Sequence, residues 1–241
     1  MKNMGNSYKK SFEITNSMLD KDDYLKYSKI LDLVQRACEL HADELHIGFK
    51  EMLERGYIWV VIQNEITMFK NVKNPKSIEI ETFIMKNRFV EYPRENHIIH
   101  DGEVIGVVRS IWMILDAKNF TLQTPEIYKE IEPYDKPLID GRIPRVDPIE
   151  FDKLELKDQS KVVYSQIDHN NHLNNTYYAD YFMNAFRRNH TIKRMQIEYL
   201  KQAFLDDLLS LYCYETDKYC YLFGYKDKEK IFAIKGEKYE D

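Results

Sequence analysis

The chain repeats one order of secondary-structure elements on either side of a proline-rich segment. Before that segment the sequence predicts a strand, a long helix and several β-rich runs, and the same order recurs after it. Five of the seven prolines fall within Thr121–Glu150, where neither helical nor strand periodicity persists for long. The sequence therefore predicts two similar folding units joined by a linker.

The first unit is predicted from its periodicities. "SYKKSFEI" is typical of a strand, and apolar residues recur at helical spacing from about Tyr27 to His46. Ile78, Ile80 and Thr82 occupy alternate positions of "SIEIETF", which indicates a half-buried strand. Asp101-Gly102 fits a tight turn between two such runs. The β-rich runs after the helix are "YIWVVIQNEITMF", "SIEIETFIM", "FVEYP" and "VIGVVRSIWMILD".

The second unit follows the same plan. "KVVYSQI" indicates a short strand, a helix is predicted from about Asn174 to Arg188, and four strand-like runs follow. These runs are "RMQIEYL", "LLSLYCYE", "YCYLFGY" and "IFAIKG". Each unit would thus contain a strand, one long helix and an antiparallel meander of about four strands.

A sheet wrapped around one central helix buries both the helix and one face of the sheet. We therefore expect an α+β fold of two tandem hot-dog units, each an antiparallel sheet around a long helix, paired side by side. The expected bounds are 1–124 for the N-terminal unit, 125–150 for the linker and 151–241 for the C-terminal unit. The alternative is a single irregular α+β domain.

Composition excludes several classes of protein. Hydrophobic residues make up 44% of the chain, which is too apolar for a disordered protein, and the net charge of -5 gives no basic field for nucleic acid. No run approaches the roughly 18 apolar residues of a membrane span, and the first ten residues lack the apolar stretch of a signal peptide. We expect a cytoplasmic protein without membrane association.

The sequence contains no cysteine spacing and no phosphate-binding motif that would indicate a metal or a cofactor. The three cysteines are scattered and lack C-x-x-C spacing, which argues against a disulfide framework and a zinc site and favours buried thiols. No P-loop or G-x-G-x-x-G pattern occurs. No cofactor is expected.

A polar stretch, "SQIDHNNHLNN", lies between the first strand and the helix of the second unit. The N–H groups at a helix N-terminus lack partners and favour negative charge, so a carbonyl placed there could be stabilised as an oxyanion. Asp168 could hold or deprotonate a water, His172 could donate to the carbonyl or relay a proton, and Asn170 could orient the water. The alternative is that all three are capping and turn residues.

The matching place in the first unit favours the chemical interpretation. The stretch "MLDKDDYLKYS" contains Asp20, Asp22 and Asp23 but no histidine or asparagine. If capping were the whole explanation, both helices would need a similar device. The difference indicates one catalytic unit and one unit that mainly binds.

The pattern D-x-N-x-H-x-N-N-x-x-Y resembles the signature of the acyl-acyl carrier protein thioesterases, the plant and bacterial enzymes that terminate fatty-acyl chains. Its residues are Asp168, Asn170, His172, Asn174, Asn175 and Tyr178. The resemblance extends over most of the chain, and that family is a tandem hot-dog. It implies hydrolysis of the thioester that joins a fatty acyl chain to the phosphopantetheine arm of the carrier. It also implies that Asp168, Asn170 and His172 are catalytic and that the other three contact substrate.

One departure from the family concerns the strand after the helix. The family has a glutamate there, whereas "IEYLKQAFLDD" has Gln202 followed by Ala203. Gln202 can orient a water but cannot accept a proton. Glu198 lies four residues away, roughly 13 Å along a strand. Asp168 would therefore be the only catalytic carboxylate, with Gln202 beside it.

The resemblance also implies binding surfaces. An acidic carrier favours a basic docking patch, and the cations that follow the catalytic helix are Arg187, Arg188, Lys193 and Arg194. The alternative is an ordinary solvated helix end. The first unit would supply the slot for the acyl chain, with Trp59 and Val61 as candidate wall residues, although core packing is the stronger explanation for either residue taken singly.

Other functions remain open from sequence alone. An acyl-CoA thioesterase would use the same chemistry without a protein carrier. A non-catalytic protein that binds acyl chains or their carrier would account for Gln202. A hot-dog dehydratase fits less well, because it uses a different arrangement of histidine and acid. A tandem chain already provides two paired units, so both a monomer and a homodimer are compatible with the sequence.

Overall fold

The computed structural model describes residues 6–186 and 192–239. Its helices are α1 (Tyr27–Glu44), α2 (Phe49–Glu54) and α3 (Tyr177–Phe186). The strands of the first half are β1 (Ser7–Glu13), β2 (Tyr57–Met68), β3 (Ser77–Ile84), β4 (Tyr92–His100), β5 (Glu103–Asp116) and β6 (Leu122–Gln123). Those of the second half are β7 (Glu155–Lys161), β8 (Ile192–Tyr199), β9 (Leu208–Glu215), β10 (Tyr219–Lys226) and β11 (Glu229–Lys238). None of the described helices is long and apolar enough to cross a membrane.

The strands form one continuous antiparallel sheet. Its order is β1-β3-β4-β5-β2-β8-β11-β10-β9-β7, with the short β6 paired to β5. The two halves meet where β2 pairs with β8, from Gln63 opposite Glu198 to Thr67 opposite Arg194. Each half wraps around its own helix, which confirms the predicted α+β fold of two tandem hot-dog units.

The strand pairing within each half differs from the expected four-strand meander. Only β3, β4 and β5 form a meander in the first half, while β2 pairs with β5 and β8. In the second half β8 likewise pairs with β11 and not with β9. The first strand after the long helix of each unit, β2 or β8, therefore lies at the centre of the sheet, where the two strands pair with each other.

Element boundaries also shift in three places. The predicted strand "KVVYSQI" is wrong, since β7 ends at Lys161 and a 3-10 turn occupies Tyr164–Gln166. Phe89 lies in a turn at a φ of 56°, so the strand predicted to begin there begins at Tyr92. Helix α3 begins at Tyr177, three residues later than expected.

The core lies between the helices and one face of the sheet, called here the inner face. Ile66 of β2 and its β8 partner Met195 belong to the same buried cluster as the inward faces of α1 and α3. A side chain at Gly236 of β11 would place its Cβ 2.4 Å from the ring of Phe182, so α3 can approach the sheet only over a glycine. The three cysteines are all buried, as expected, and none of them forms a disulfide bond with another.

The proline-rich segment covers the opposite, outer face of the sheet. The Leu138 N–H donates to the Glu95 carboxylate of β4 at 2.7 Å, and the Val146 N–H donates to the Glu198 carboxylate of β8 at 3.2 Å. Residues 125–150 thus bind to strands of both units. The bounds of the units at 124/125 and 150/151 stay a prediction.

A buried carboxylate lies at the centre of the outer face. Glu65 of β2 is only 1% exposed, and its two oxygens accept hydrogen bonds from different strands. Arg109 Nε of β5 donates at 2.9 Å, while Arg194 Nε and Gln196 Nε2 of β8 donate at 2.7 and 3.2 Å. Arg109 also donates to the Gly141 carbonyl of the linker at 3.1 Å. Glu65 therefore binds both units and, through Arg109, the linker.

We expect Glu65→Gln to lower the free energy of unfolding by about 3–5 kcal/mol, because it leaves two guanidinium groups without their shared counter-charge. Urea unfolding measures this change. Glu103→Gln is the matched control, since Glu103 pairs with Lys70 where both side chains are more than half exposed, and it should cost less than about 1 kcal/mol. Equal effects of the two substitutions would contradict the structural role of Glu65.

Candidate active site

A five-residue loop, 168–172, connects the 3-10 turn to the segment before α3. The Asp168 N–H donates to the His172 carbonyl at 2.9 Å. In return, Oδ1 of Asp168 accepts the N–H groups of Asn170 at 2.8 Å and of His172 at 3.2 Å. Asn171 has a φ of 63°, a left-handed conformation that asparagine tolerates. The loop therefore folds around the Asp168 carboxylate and brings Asn170 and His172 to it.

The segment after β8 lies beside this loop. The Leu173 N–H donates to the Ala203 carbonyl at 2.8 Å, and the rings of His172 and Phe204 meet edge to face at 5.1 Å between centroids. Gln202, the neighbour of Ala203, has an exposed side chain. The structure thus places the three predicted catalytic residues and Gln202 in one region.

The turn before α3 is closed by Asn174. Asn174 Oδ1 accepts the N–H and the hydroxyl of Thr176, each at 3.0 Å. This side chain closes the turn before the helix, and so it moves the helix start to Tyr177. The Asn175 N–H donates no hydrogen bond within the described part of the chain.

Two residues of the site were missed by sequence analysis. The Tyr199 hydroxyl donates to the Asn175 carbonyl at 3.1 Å, and Asn64 Nδ2 donates to the Tyr199 hydroxyl at 3.0 Å. Burial raises the pKa of Tyr199, which keeps its hydroxyl protonated as a donor. Asn64 belongs to β2, so both units hold the α3 N-terminus. Little in the sequence pointed to Asn64, because it stands between two further polar residues of β2, Gln63 and Glu65.

Tyr178 lies beneath the site. It is 3% exposed, and its ring meets those of Tyr199 and Phe232 edge to face at 5.2 and 4.9 Å. Burial raises the pKa of Tyr178, and the nearby Asp168 charge adds to the effect. In this arrangement the neutral ring supports the loop from the core, and no open surface of Tyr178 is available for direct substrate contact.

An apolar surface begins next to Asn64 on the inner face. A bulge lies between Val61 and Gln63, and Val61 pairs with Trp112 of β5. Trp59, Val61 and Trp112 are only partly buried although they occupy central strands. The structure therefore places both predicted wall residues on a partly open apolar surface near Asn175.

The loop also contacts the first unit at its tip. His169 is exposed, as expected for a loop residue, and its ring meets that of Phe49 of α2 edge to face at 4.9 Å. Side chains of the two units therefore meet on both sides of the site, at His169 and at Asn64.

The expected docking cations do not form one free patch. Arg194 is bound to Glu65 on the outer face, so it is not available as an unpaired cation. Lys193 is exposed. Arg187 and Arg188 lie outside the residues that the structure describes.

The first unit contains a loop with the same backbone hydrogen bonds. The Asp20 N–H donates to the Tyr24 carbonyl at 2.8 Å, and Asp20 Oδ1 accepts the N–H groups of Asp22 and Tyr24, each at 2.9 Å. Asp23 has a φ of 70°, like its counterpart Asn171.

This likeness shows which residues of the second loop have a structural counterpart in the first unit and which do not. Asp20 and Asp168 close their loops in the same way, so loop closure is a role that both units share. The second unit differs by carrying Asn170 and His172 where the first has Asp22 and Tyr24. The amide and the imidazole therefore distinguish the candidate active site from its counterpart in the first unit.

Two models of a known protein family match the chain. A model of the acyl-ACP thioesterase N-terminal domain matches residues 5–131, and a model of the C-terminal domain of the same family matches residues 150–238. No curated protein matches the chain at the level of sequence.

Solved structures of two such proteins share the fold. An acyl-ACP thioesterase from Bacteroides thetaiotaomicron has a TM-score of 0.88 at 19% identity, with 98% of this chain and 99% of that chain covered. A 12:0-ACP thioesterase from Umbellularia californica has a TM-score of 0.85 at 16% identity, with 97% of each chain covered. The family models cover both units, and the chain therefore belongs to the acyl-ACP thioesterase family.

Proposed function

We propose that the protein hydrolyses fatty acyl-acyl carrier protein to a free fatty acid and the carrier with its thiol restored. Membership of the family supports a thioester hydrolase. The observation that carries the proposal is the loop that holds Asp168, Asn170 and His172 at the N-terminus of α3, beside an apolar surface from the other unit.

Asp168 would activate the attacking water. Its Oδ1 is engaged by the loop, whereas its Oδ2 accepts no hydrogen bond from the described residues. Oδ2 can therefore take a proton while the water oxygen attacks the thioester carbonyl carbon. Asn170 is exposed in the same loop and Gln202 is exposed in the neighbouring segment, and both would orient the water through their amides.

The α3 N-terminus would stabilise the resulting oxyanion. The Asn175 N–H is a donor without an internal partner, and the positive end of the helix dipole adds to it. The Tyr199 hydroxyl holds the Asn175 carbonyl and so fixes the orientation of the turn. A group already in place pays no reorganisation cost when the negative charge develops.

Collapse of the tetrahedral intermediate would break the carbon–sulfur bond. The carbonyl re-forms, the acyl group leaves as a fatty acid, and the sulfur leaves with the bonding electrons. His172, whose ring packs edge-on against Phe204, would pass a proton to that sulfur, and Asp168 would return its proton through His172 or the solvent. The thiol of the phosphopantetheine arm is then restored.

We expect Asp168→Asn to lower kcat at least 100-fold, because an amide cannot accept the proton from water. Asp20→Asn is the matched control, since Asp20 closes the equivalent loop and should leave kcat nearly unchanged. Release of free thiol from acyl-carrier thioesters of several chain lengths measures both variants. The asparagine retains an oxygen that can accept the loop N–H groups, so thermal unfolding should change little in either variant.

An equal loss of activity in both variants would indicate a structural role for Asp168 and contradict its role as base. Absence of hydrolysis by the wild-type protein on every chain length would favour the alternative of an acyl- or carrier-binding protein.

Gln202→Ala is expected to lower kcat by about 10-fold or less, because Gln202 can only orient the water. Steady-state kinetics on the preferred acyl-carrier substrate measures the change. Gln202→Glu restores the carboxylate of the family and should raise kcat. A 100-fold loss in Gln202→Ala would show that Asp168 does not act as the main group.

Carrier docking is proposed for the cations around the end of α3, without Arg194. Replacing Arg187, Arg188 and Lys193 together by glutamine should lower kcat/KM for acyl carrier thioesters, because the positive field that attracts an acidic carrier is removed. Hydrolysis of the same acyl group on free pantetheine should not change. The control replaces three exposed lysines of the first unit, which are Lys10, Lys86 and Lys118. Equal losses on both substrates would contradict docking, and an unchanged kcat/KM for acyl carrier thioesters would favour a non-protein carrier such as coenzyme A.

A further inference from the structure

An arginine is buried on the inner face of the first unit. Arg94 of β4 is 8% exposed, and its Nη1 forms hydrogen bonds to His41 Nδ1 and Thr82 Oγ1 at 3.2 Å each, with the Cys38 thiol as a further polar neighbour. The N–H groups on Nε and Nη2 find no acceptor within residues 6–186 and 192–239. A guanidinium stays charged at any physiological pH, so this is a buried cation with unused donors.

No acidic side chain of the described residues pairs with Arg94. The acids nearest along the strand have other partners. Glu91 pairs with Arg142, and Glu95 pairs with His97 at 2.9 Å and with backbone N–H groups of the linker. Arg94 thus differs from Arg109 of the outer face, whose charge is met by Glu65.

The ionisable neighbours Cys38 and Tyr128 do not supply a negative charge either. Burial raises the pKa of the Cys38 thiol, an effect that the nearby Arg94 charge only partly offsets. Burial also raises the pKa of Tyr128. Both groups therefore stay neutral, so neither of them balances the Arg94 charge.

Strand register connects Arg94 with the candidate active site. Arg94 pairs with Ser110 of β5, and Ser110 pairs with Asn64 of β2. With strands about 4.8 Å apart, this row of inner-face residues spans roughly 10 Å. Asn64 binds Tyr199, which holds Asn175 at the start of α3.

The apolar surface runs alongside this row. Val61 and Trp112 form a cross-strand pair next to Asn64 and Ser110, and both are partly open. An acyl chain whose thioester lies at Asn175 and whose carbons cross Val61 and Trp112 would reach Arg94 at its far end.

We propose that Arg94 binds a carboxylate at the far end of the acyl chain, so that the preferred substrates are thioesters of carboxylate-terminated chains. This inference rests on the proposed thioesterase function. A carboxylate offers paired acceptors that match the unused N–H groups of the guanidinium. A methyl terminus would leave those N–H groups unmatched and exclude water from them, which disfavours alkyl chains of the same length.

The test uses two thioesters of equal chain length, one ending in a methyl group and one in a carboxylate. Wild-type protein should favour the carboxylate by about 10- to 100-fold in kcat/KM, as expected for a charged hydrogen-bonded pair. Arg94→Met should reverse the preference, and Arg94→Lys should retain part of it because lysine keeps the charge but loses the fork. Arg88→Met, at an exposed position before β4, should leave the ratio unchanged.

The outcomes separate this inference from the proposed function. Hydrolysis of both thioesters with equal or greater preference for the methyl-ended chain would overturn the role of Arg94 and leave the thioesterase intact. If neither thioester is hydrolysed, the affinities of the wild-type protein for the same two compounds are measured by calorimetry. Equal affinities, or tighter binding of the methyl-ended compound, would again overturn the inference. If thermal unfolding shows that Arg94→Met does not fold, the wild-type ratio and Arg94→Lys carry the test.

Discussion

The pairing of β2 with β8 is the constraint on which the rest of the structure depends. It joins the six strands of the first half and the five of the second into one sheet, and it places Glu65 between arginines of two different strands. A buried ion pair of this kind adds little net stability, but its loss is costly and a shifted register cannot satisfy it. A slip by one residue would move Glu65 from the outer face into the core around the helices. The linker binds to the same group through Arg109, so the segment between the two units is attached where β2 and β8 pair.

This register also assembles the candidate active site. Because β2 lies directly beside β8, Asn64 of one unit reaches Tyr199 of the other, and Tyr199 holds the peptide at the start of α3. The same strand presents Trp59 and Val61 on the inner face, and so places apolar surface next to the polar loop. Neither unit has all of these groups, so we infer that binding and chemistry require the joined sheet.

The two equivalent loops show how one scaffold serves two roles. Asp20 and Asp168 make the same hydrogen bonds within their loops, so an aspartate at this position has a structural reason in each unit. The second loop differs by carrying the amide of Asn170 and the imidazole of His172, which are groups that can take part in chemistry. Part of the Asp168 carboxylate is thus used to shape the loop, and the other oxygen is left for a substrate or a water.

The sequence by itself determined the local features: helices α1 and α3 and most strands, the duplicated plan, and the loop that carries Asp168. These follow from periodicity and short-range hydrogen bonding, which depend on neighbouring residues. Only the tertiary structure decided which strands pair, since pairing joins residues far apart in the chain and the expected meander ignored the other unit. For the same reason, nothing in the sequence indicated that Asn64 contacts Tyr199. The sequence likewise predicted Arg194 as a free cation, whereas a long-range contact binds it to Glu65. Long-range contacts decided how the local elements are shared between the two units.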